Sequence, residues 1–574
     1  MAAAVSSSAY AQVCEVKAPF VGPHFDDVRA ELLVTPQGNS NARIMAIPSG
    51  KEGDPFRRTG LQIFPDERNP GASLLLTDDG QGADLRAGDN VFSGFAAFDF
   101  NAFVNDTNKR VSLAAAKGLT TTLSFTGRQV TNKEVLTQIS VPRAGGSISI
   151  RPVGIASTIA FPNSLVINNT LVTQDSTRTF SPCLGGTSMG PWTFGHLMTE
   201  MANQPLTGIS PSDFVRRWLM SWRFDASINF WNVPKRLSIN TVISDWEVAS
   251  GVPAGGPLDL SIAPFRLVAI VNRMDLHGSI GYSSGSSGET RFVFAYENPS
   301  TCIAEQFLVI FEYGNTQSSC GSIKTLAQKW VDLSSETVGS ATFNTKLQAI
   351  TDPIVVRNAA PSKPNGSALN QLRTNENKLN SLWELREFKL FSSGVAPGHL
   401  TEDTVKRAPD NSLNGTATLK NCVQNHLPTV WPNPPASTPD ILTGTFDPLE
   451  CPSGTPFRGG ANTLPFPSSG FCFTMPGLVG NGAISAADAR FEYSFNTCAG
   501  CHGGDTQTNP ARFTHIGPDG SLSPFLAGPH TKNDCVTTTP RNFDEPTRRA
   551  QDLDVLATAS CFAVMSHSPV MAVH

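Results

Sequence analysis

The sequence predicts a multidomain chain: an N-terminal all-β sandwich, a central α+β domain and a small, mostly α C-terminal domain. Three observations carry this. The 574 residues are too many for one ordinary core. The segment 12–155 holds short β-rich runs separated by Gly, Pro, Asn and Asp, as strands joined by turns do. Beyond it, helical periodicities alternate with apolar runs, and the last 90 residues open on a helix start.

In the first segment the runs Ala30 to Val34, Arg43 to Ile47, Leu61 to Phe64, Ser73 to Leu76, Val91 to Phe98 and Ser147 to Ile150 read as strands of a sandwich. In 156–428, Ser210-Pro211-Ser212-Asp213 is a capping box opening an amphipathic helix through Phe214, Trp218 and Trp222. The runs Phe265 to Val271, Phe292 to Tyr296 and Phe307 to Phe311 suggest a sheet, and Leu382 to Phe391 a further strand. Helical patterns fall at Lys324 to Leu333, Phe343 to Ile350 and Leu369 to Leu379. Segment 429–484 is rich in Pro, Gly and Ser and reads as a linker or a disulfide-stapled loop. From 485, Ser485-Ala486-Ala487-Asp488 caps a short helix.

Composition excludes some partners. A net charge of -5 with only 16% charged residues leaves no basic patch for nucleic acid. No apolar stretch reaches 18 residues, so no membrane span is expected. Residues 1–11, ending Ala9-Tyr10-Ala11, resemble the tail of a secretory signal with maturation at Gln12. Eleven cysteines agree with export, to the periplasm or the cell exterior of a bacterium. Proximity points to the pairs Cys302–Cys320, Cys451–Cys472 and Cys535–Cys561.

The most specific feature is Cys498-Ala499-Gly500-Cys501-His502. Two thiols one helical turn apart can each add to a haem vinyl group, and the next imidazole reaches the iron. This composition gives such a motif only ~0.004 times by chance. A structural zinc site would need two more ligands at workable spacing, and a thioredoxin-like motif a preceding βαβ unit. Phe491 and Phe495 sit i, i+4 on the incoming helix.

Residues 485–574 resemble a class I cytochrome c domain. The resemblance implies one haem c held by Cys498 and Cys501, His502 as proximal iron ligand, and Phe491 and Phe495 packed on the porphyrin. Ser523-Pro524-Phe525-Leu526-Ala527-Gly528 is similar to the family's G-P-x-L-x-G segment, which implies that the Pro524 carbonyl orients His502. Two departures are an insertion before Pro524 and Ser523 in place of Gly. Met565, Met571 and His515 are the candidates for the distal position. Separately, the segment from Leu76 to Phe92 resembles a hairpin of bacterial extracellular immunoglobulin-like modules of the choice-of-anchor type. Its Asp78, Asp79, Asp84 and Asp89 are candidate Ca²⁺ ligands, although their spacing is not that of an EF-hand and Asp is a common turn former. The whole chain resembles a group of exported bacterial proteins with one C-terminal C-x-x-C-H.

Other signals carry less. Gly186-Thr187-Ser188-Met189 echoes a subtilase nucleophile but lacks the remaining triad segments. Arg291, Glu312, Arg373, Glu376, Glu384 and Arg386 flank apolar elements and suggest a buried ionic network or a cleft, with no catalytic role assigned. The leading expectation is one-electron transfer to a redox partner protein through one haem c. The alternatives are a haem enzyme of peroxidase or oxygenase type, and a cell-surface adhesion or self-assembling protein that carries a haem.

Overall fold

The computed structural model describes nine strands between residues 11 and 153, and most of 162–430, 461–464, 471–480, 485–506 and 513–564. The chain divides into two compact units, one holding residues 1–160 with two short later segments, the other 161–430, 439–481 and 485–574. The nine N-terminal strands form one sheet, antiparallel except where Ala11–Lys17 pairs in parallel with Glu134–Ser140. Five of the six expected runs are largely covered by its strands, and Ser147 to Ile150 overlaps Ser149–Val153. Asp78, Asp79, Asp84 and Asp89 lie outside the described residues.

The second unit is built on an antiparallel meander in the order β1 (Val166–Ile167), β2 (Phe265–Arg273), β3 (Glu289–Glu297), β4 (Ala304–Gly314), β5 (Leu369–Asn375), β6 (Trp383–Leu390) and β7 (Leu400–Asp403). The first half of β6 also pairs with β8 (Ala461–Leu464), drawn from the Pro/Gly-rich segment. The segments expected as an α+β domain and a haem domain thus belong to one unit. No described helix is long and apolar enough to cross a membrane.

One sheet face is aromatic. Phe265, Phe294, Phe307, Phe311 and Phe388 meet Phe194 of α1 (Phe194–Ala202), Trp218 of α2 (Pro211–Met220), Trp222 and Trp246. Phe194 stacks on Phe265 at 4.4 Å between centroids. Each large side chain so buried contributes about 1.5–3 kcal/mol. Ser210 caps α2, its hydroxyl accepting from the Asp213 amide at 3.1 Å and donating to the Asp213 carboxylate at 2.7 Å, so one arm of the expected capping box forms. The other face is aliphatic: Val268, Ala269, Val271, Val293, Ala295, Leu308 and Ile310, with Ile516 of the C-terminal segment packed against them. A bulge between Leu267 and Ala269 lets Val268 and Ala269, adjacent in sequence, both join that face.

Residues 369–375 form strand β5 where a helix was expected over Leu369 to Leu379. Strand β5 is buried on both faces, and its polar Gln371, Arg373 and Asn375 meet polar side chains of neighbouring strands, which erases the simple period-2 contrast. The six expected charges divide between two buried networks. Arg291, Glu312 and Arg373 join Glu289 and Glu387 on the same face as the aliphatic patch. Glu376, Glu384 and Arg386 join Arg236 and Glu402.

The disulfides are Cys183–Cys302, Cys320–Cys561 and Cys472–Cys535, and Cys422 is also disulfide-bonded. The pairs expected from proximity, Cys302–Cys320, Cys451–Cys472 and Cys535–Cys561, are therefore corrected. The 11-residue strand β4 separates Cys302 from Cys320, and at about 3.4 Å per residue it carries the two far apart. The 14-residue helix α6 (Glu545–Thr558) does the same between Cys535 and Cys561. Helix α3 (Cys320–Ser334) carries Cys320 at its first position, so Cys320–Cys561 joins it to the chain just beyond α6.

Two predictions follow from this framework. Peptide mapping without reduction is expected to recover 183–302, 320–561 and 472–535 cross-links and no 302–320 peptide. Burial, opposed by Arg386 and reinforced by Glu376 and Glu384, pushes the Glu402 carboxyl up to about 8. The folded state therefore holds a proton that the unfolded chain releases, so this contribution to stability is present below pH 4.5 and declines as pH rises to 8. Denaturant titration of Glu402→Gln is expected to show that decline reduced by on the order of a few kcal/mol. An unchanged pH slope would refute it.

Candidate functional site

The site is assembled around α5 (Cys498–His502), which follows α4 (Ala486–Phe495) after a two-residue break. Thr497 caps α5: its hydroxyl accepts from the Gly500 amide at 3.0 Å and donates to the Ser494 carbonyl at 2.7 Å. The break folds α5 so tightly onto α4 that a Cβ at Gly500 would lie 1.9 Å from the Ser494 carbonyl oxygen. After His502 the chain also passes close to the 471 loop, where a Cβ at Gly503 would lie 2.4 Å from the Phe471 carbonyl oxygen. The buried Asp505 then ties the turn to Arg490 at 3.0 Å and to the Ser494 hydroxyl.

Cys498 and Cys501 are both buried thiols, and burial pushes the Cys501 thiol well up. Every other cysteine whose side chain is described is in a disulfide. Among the described residues the group of potential metal ligands drawn together is Cys472, Asp505 and Cys535, whose two sulfurs are bonded to each other. The donor set at α5 is thus two thiols and an imidazole, without the four-ligand convergence of structural zinc.

His502 is buried, and its Nδ1 lies 2.7 Å from the Phe513 carbonyl oxygen. This fixes the tautomer: Nδ1 carries the proton and donates, leaving the lone pair on Nε2. Burial, with the Arg373 charge adding to it, lowers His502 to about 4, so the ring is neutral at physiological pH. The Phe513 carbonyl thereby takes the orienting role expected of Pro524. Phe513 has φ +51°, which turns its carbonyl toward the ring, and it belongs to the segment inserted before Pro524. Pro524 instead starts a one-turn helix, Pro524–Ala527. The Ser523 side chain lies 2.9 Å from His515 Nδ1, and its amide donates to the His515 carbonyl at 2.8 Å.

His515 is brought close, its ring 5.0 Å from that of His502, and its Nε2 lies 3.3 Å from Cys501 Sγ. Phe491 and Phe495 stack on each other at 5.5 Å and join Phe525 and Phe543 in a buried cluster that touches His515 through Phe525. They are not among the residues lining the cleft beside His502. Met565 and Met571 lie outside the described residues.

Sequence reasoning missed the opposite wall. A cleft lies between His502 and the aliphatic sheet face, lined by Val271, Val293, Leu308 and Ile310 on one side and by Thr514, Ile516 and Leu526 on the other. Trp383 of β6 packs on His502 with ring centroids 4.7 Å apart, and its indole N–H donates to Asn375 at 3.0 Å. The turn at 516–522 docks on the sheet edge, where Asn168 donates to the Gly520 carbonyl at 2.9 Å and Arg266 to that of Pro518 at 3.2 Å. The sheet residues, Trp383, Asn168 and Arg266 stand far from the C-x-x-C-H motif in sequence, so no local pattern points to them.

Gly500→Ala is expected to cost ~2 kcal/mol or more, because backbone rather than a mobile side chain blocks the new Cβ. Thermal unfolding of this variant beside Ala499→Gly, which adds no atom, is the check; equal melting temperatures would contradict the close packing of α5 on α4. Comparison with protein-family models, with curated proteins and with solved structures finds no match for this chain.

Proposed function

We propose that the chain is an exported c-type cytochrome that carries one haem c, bound through Cys498 and Cys501 and ligated by His502, and that it passes single electrons to a redox partner protein. The observation that carries the reading is the pair of thiols at α5, flanked by disulfides elsewhere and set beside a neutral imidazole with Nε2 directed away from its carbonyl partner. Two thioether positions, an iron donor and an apolar cleft are the groups that such a cofactor needs. When bound, the haem supplies the redox chemistry. The residues bind it, hold the His502 proton on Nδ1 and exclude water with the sheet face. The N-terminal unit, read as an immunoglobulin-like sandwich, serves in this proposal to place the redox site at a surface outside the cytoplasm.

The test is an optical spectrum of protein exported from a host with haem c maturation, with a pyridine haemochrome assay. One covalent haem per chain is expected, and its complete loss in Cys498→Ala/Cys501→Ala. Absence of covalent haem in the unaltered protein would sink the reading. Failure of carbon monoxide to alter the reduced spectrum is expected of an electron carrier with a filled sixth position, whereas a shifted Soret band would favour a haem enzyme.

A further inference from the structure

We propose that His515, steadied by Ser523, is a positioning residue that holds the Cys501 sulfur apart from Cys498, and so keeps the pair as thiols in a chain that oxidises its other cysteines. His515 is a buried imidazole that the reading above leaves unused. Its bearing on haem attachment rests on that reading.

Cys498 and Cys501 are thiols, whereas Cys183, Cys302, Cys320, Cys422, Cys472, Cys535 and Cys561 are all in disulfides. Burial alone does not separate the two sets, since Cys472 is buried and disulfide-bonded. Nor does spacing, because C-x-x-C thiols on one helical turn are readily joined by an oxidant. That oxidation removes two electrons and releases both thiol protons. With oxidised glutathione as the oxidant, the products are the 498–501 disulfide and two molecules of glutathione. Only thiols add to haem vinyl groups, so the disulfide would close the site before the cofactor arrives.

What distinguishes Cys501 is its neighbour. His515 Nε2 lies 3.3 Å from Cys501 Sγ, and the ring also bonds the Cys501 backbone. On its other edge, Nδ1 lies 2.9 Å from Ser523 Oγ, while the Ser523 amide donates to the His515 carbonyl at 2.8 Å. With Nε2–H donating to the sulfur, Nδ1 accepts from the Ser523 hydroxyl. Both nitrogens are then engaged, and the ring is not offered to the iron. His502 and Phe525 pack against it, each at 5.0 Å between centroids, which keeps it from swinging away. A sulfur turned toward Cys498 would give up the His515 hydrogen bond, and that loss opposes the turn. Ser523 stands where the cytochrome segment it resembles has glycine, which has no hydroxyl to hold the ring. The departure and the contact thus have one explanation.

The test begins with the full chain without haem, equilibrated in mixtures of reduced and oxidised glutathione, quenched in acid, alkylated and mapped by mass. His515→Leu is expected to shift the 498–501 equilibrium toward the disulfide by roughly two- to tenfold, the range that one modest hydrogen bond supplies. His515→Gln, whose amide can donate to the sulfur, should restore most of the dithiol. Ser523→Ala, which removes one hydroxyl, should shift the equilibrium the same way by less, and it keeps the test decisive where His515→Leu does not fold. An equilibrium in Ser523→Ala and His515→Leu equal to that of the unaltered chain would overturn the proposal. In a host with haem c maturation, the covalent haem content of His515→Leu should be low and should rise when a dithiol reductant is supplied. A deficit that the reductant does not relieve would overturn the role in attachment. Absence of covalent haem in the unaltered chain would overturn the cytochrome reading and leave the thiol result standing.

Discussion

Across the middle of the central sheet, charges of alternating sign run from strand to strand: Glu289 and Arg291 on β3, Glu312 on β4, Arg373 on β5 and Glu387 on β6. All are buried. An isolated charge in that position would cost several kcal/mol, so each depends on its neighbours being present and in register. The antiparallel pairing supplies that register directly, with Arg291 opposite Glu312 and Arg373 opposite Glu387. This row lets a sheet that is otherwise aliphatic on this face present a guanidinium to the cleft. It also places Arg373 where its charge helps to keep His502 neutral.

The wall of the site is thereby stiff. Loops could carry the same residues, but strands fix both spacing and direction, and the bulge near Val268 sets where the aliphatic patch begins. The C-terminal segment is tied to this wall at separate points. Cys320–Cys561 joins α3 to the chain beyond α6, Lys324 Nζ donates to the Thr558 carbonyl at 3.2 Å, and His277 Nε2 meets the Val564 carbonyl at 3.1 Å. Loss of any one tie leaves the others, so the position of α5 against the sheet rests on a distributed set of contacts.

What could be read from the sequence was local. The caps at Ser210 and Ser485, strands β2, β3, β4 and β6 and the C-x-x-C-H turn each announce themselves within a few residues, whereas β5 carries a pattern that reads as helix. Phe491 and Phe495 were legible as an i, i+4 aromatic pair on one helix face, expected to pack on a porphyrin; in the structure they meet Phe525 and Phe543 and are not among the residues lining the cleft. The orienting carbonyl was not legible, since any residue can offer one and only the turn at Phe513 selects it. The cysteine pairs failed for a related reason: closeness along the chain is a poor guide once a full strand or helix intervenes.

The same limit bears on how such a site is held together. A motif of five residues brings both thiols and the imidazole, yet the polar partner, the aromatic neighbour and the far wall come from Phe513, Trp383 and strands β2 to β5. Residues 485–574 alone would leave His502 without Trp383 against its ring and would expose Ile516 and Leu526, which face the cleft. Exposure of that apolar surface would oppose folding at about 25 cal/mol per Å². Water would also enter beside the imidazole, raising the local dielectric and weakening the burial that keeps the ring neutral. The sheet is therefore as much a part of the site as the motif, and the segment that carries the motif needs the sheet to hold the site in its present form.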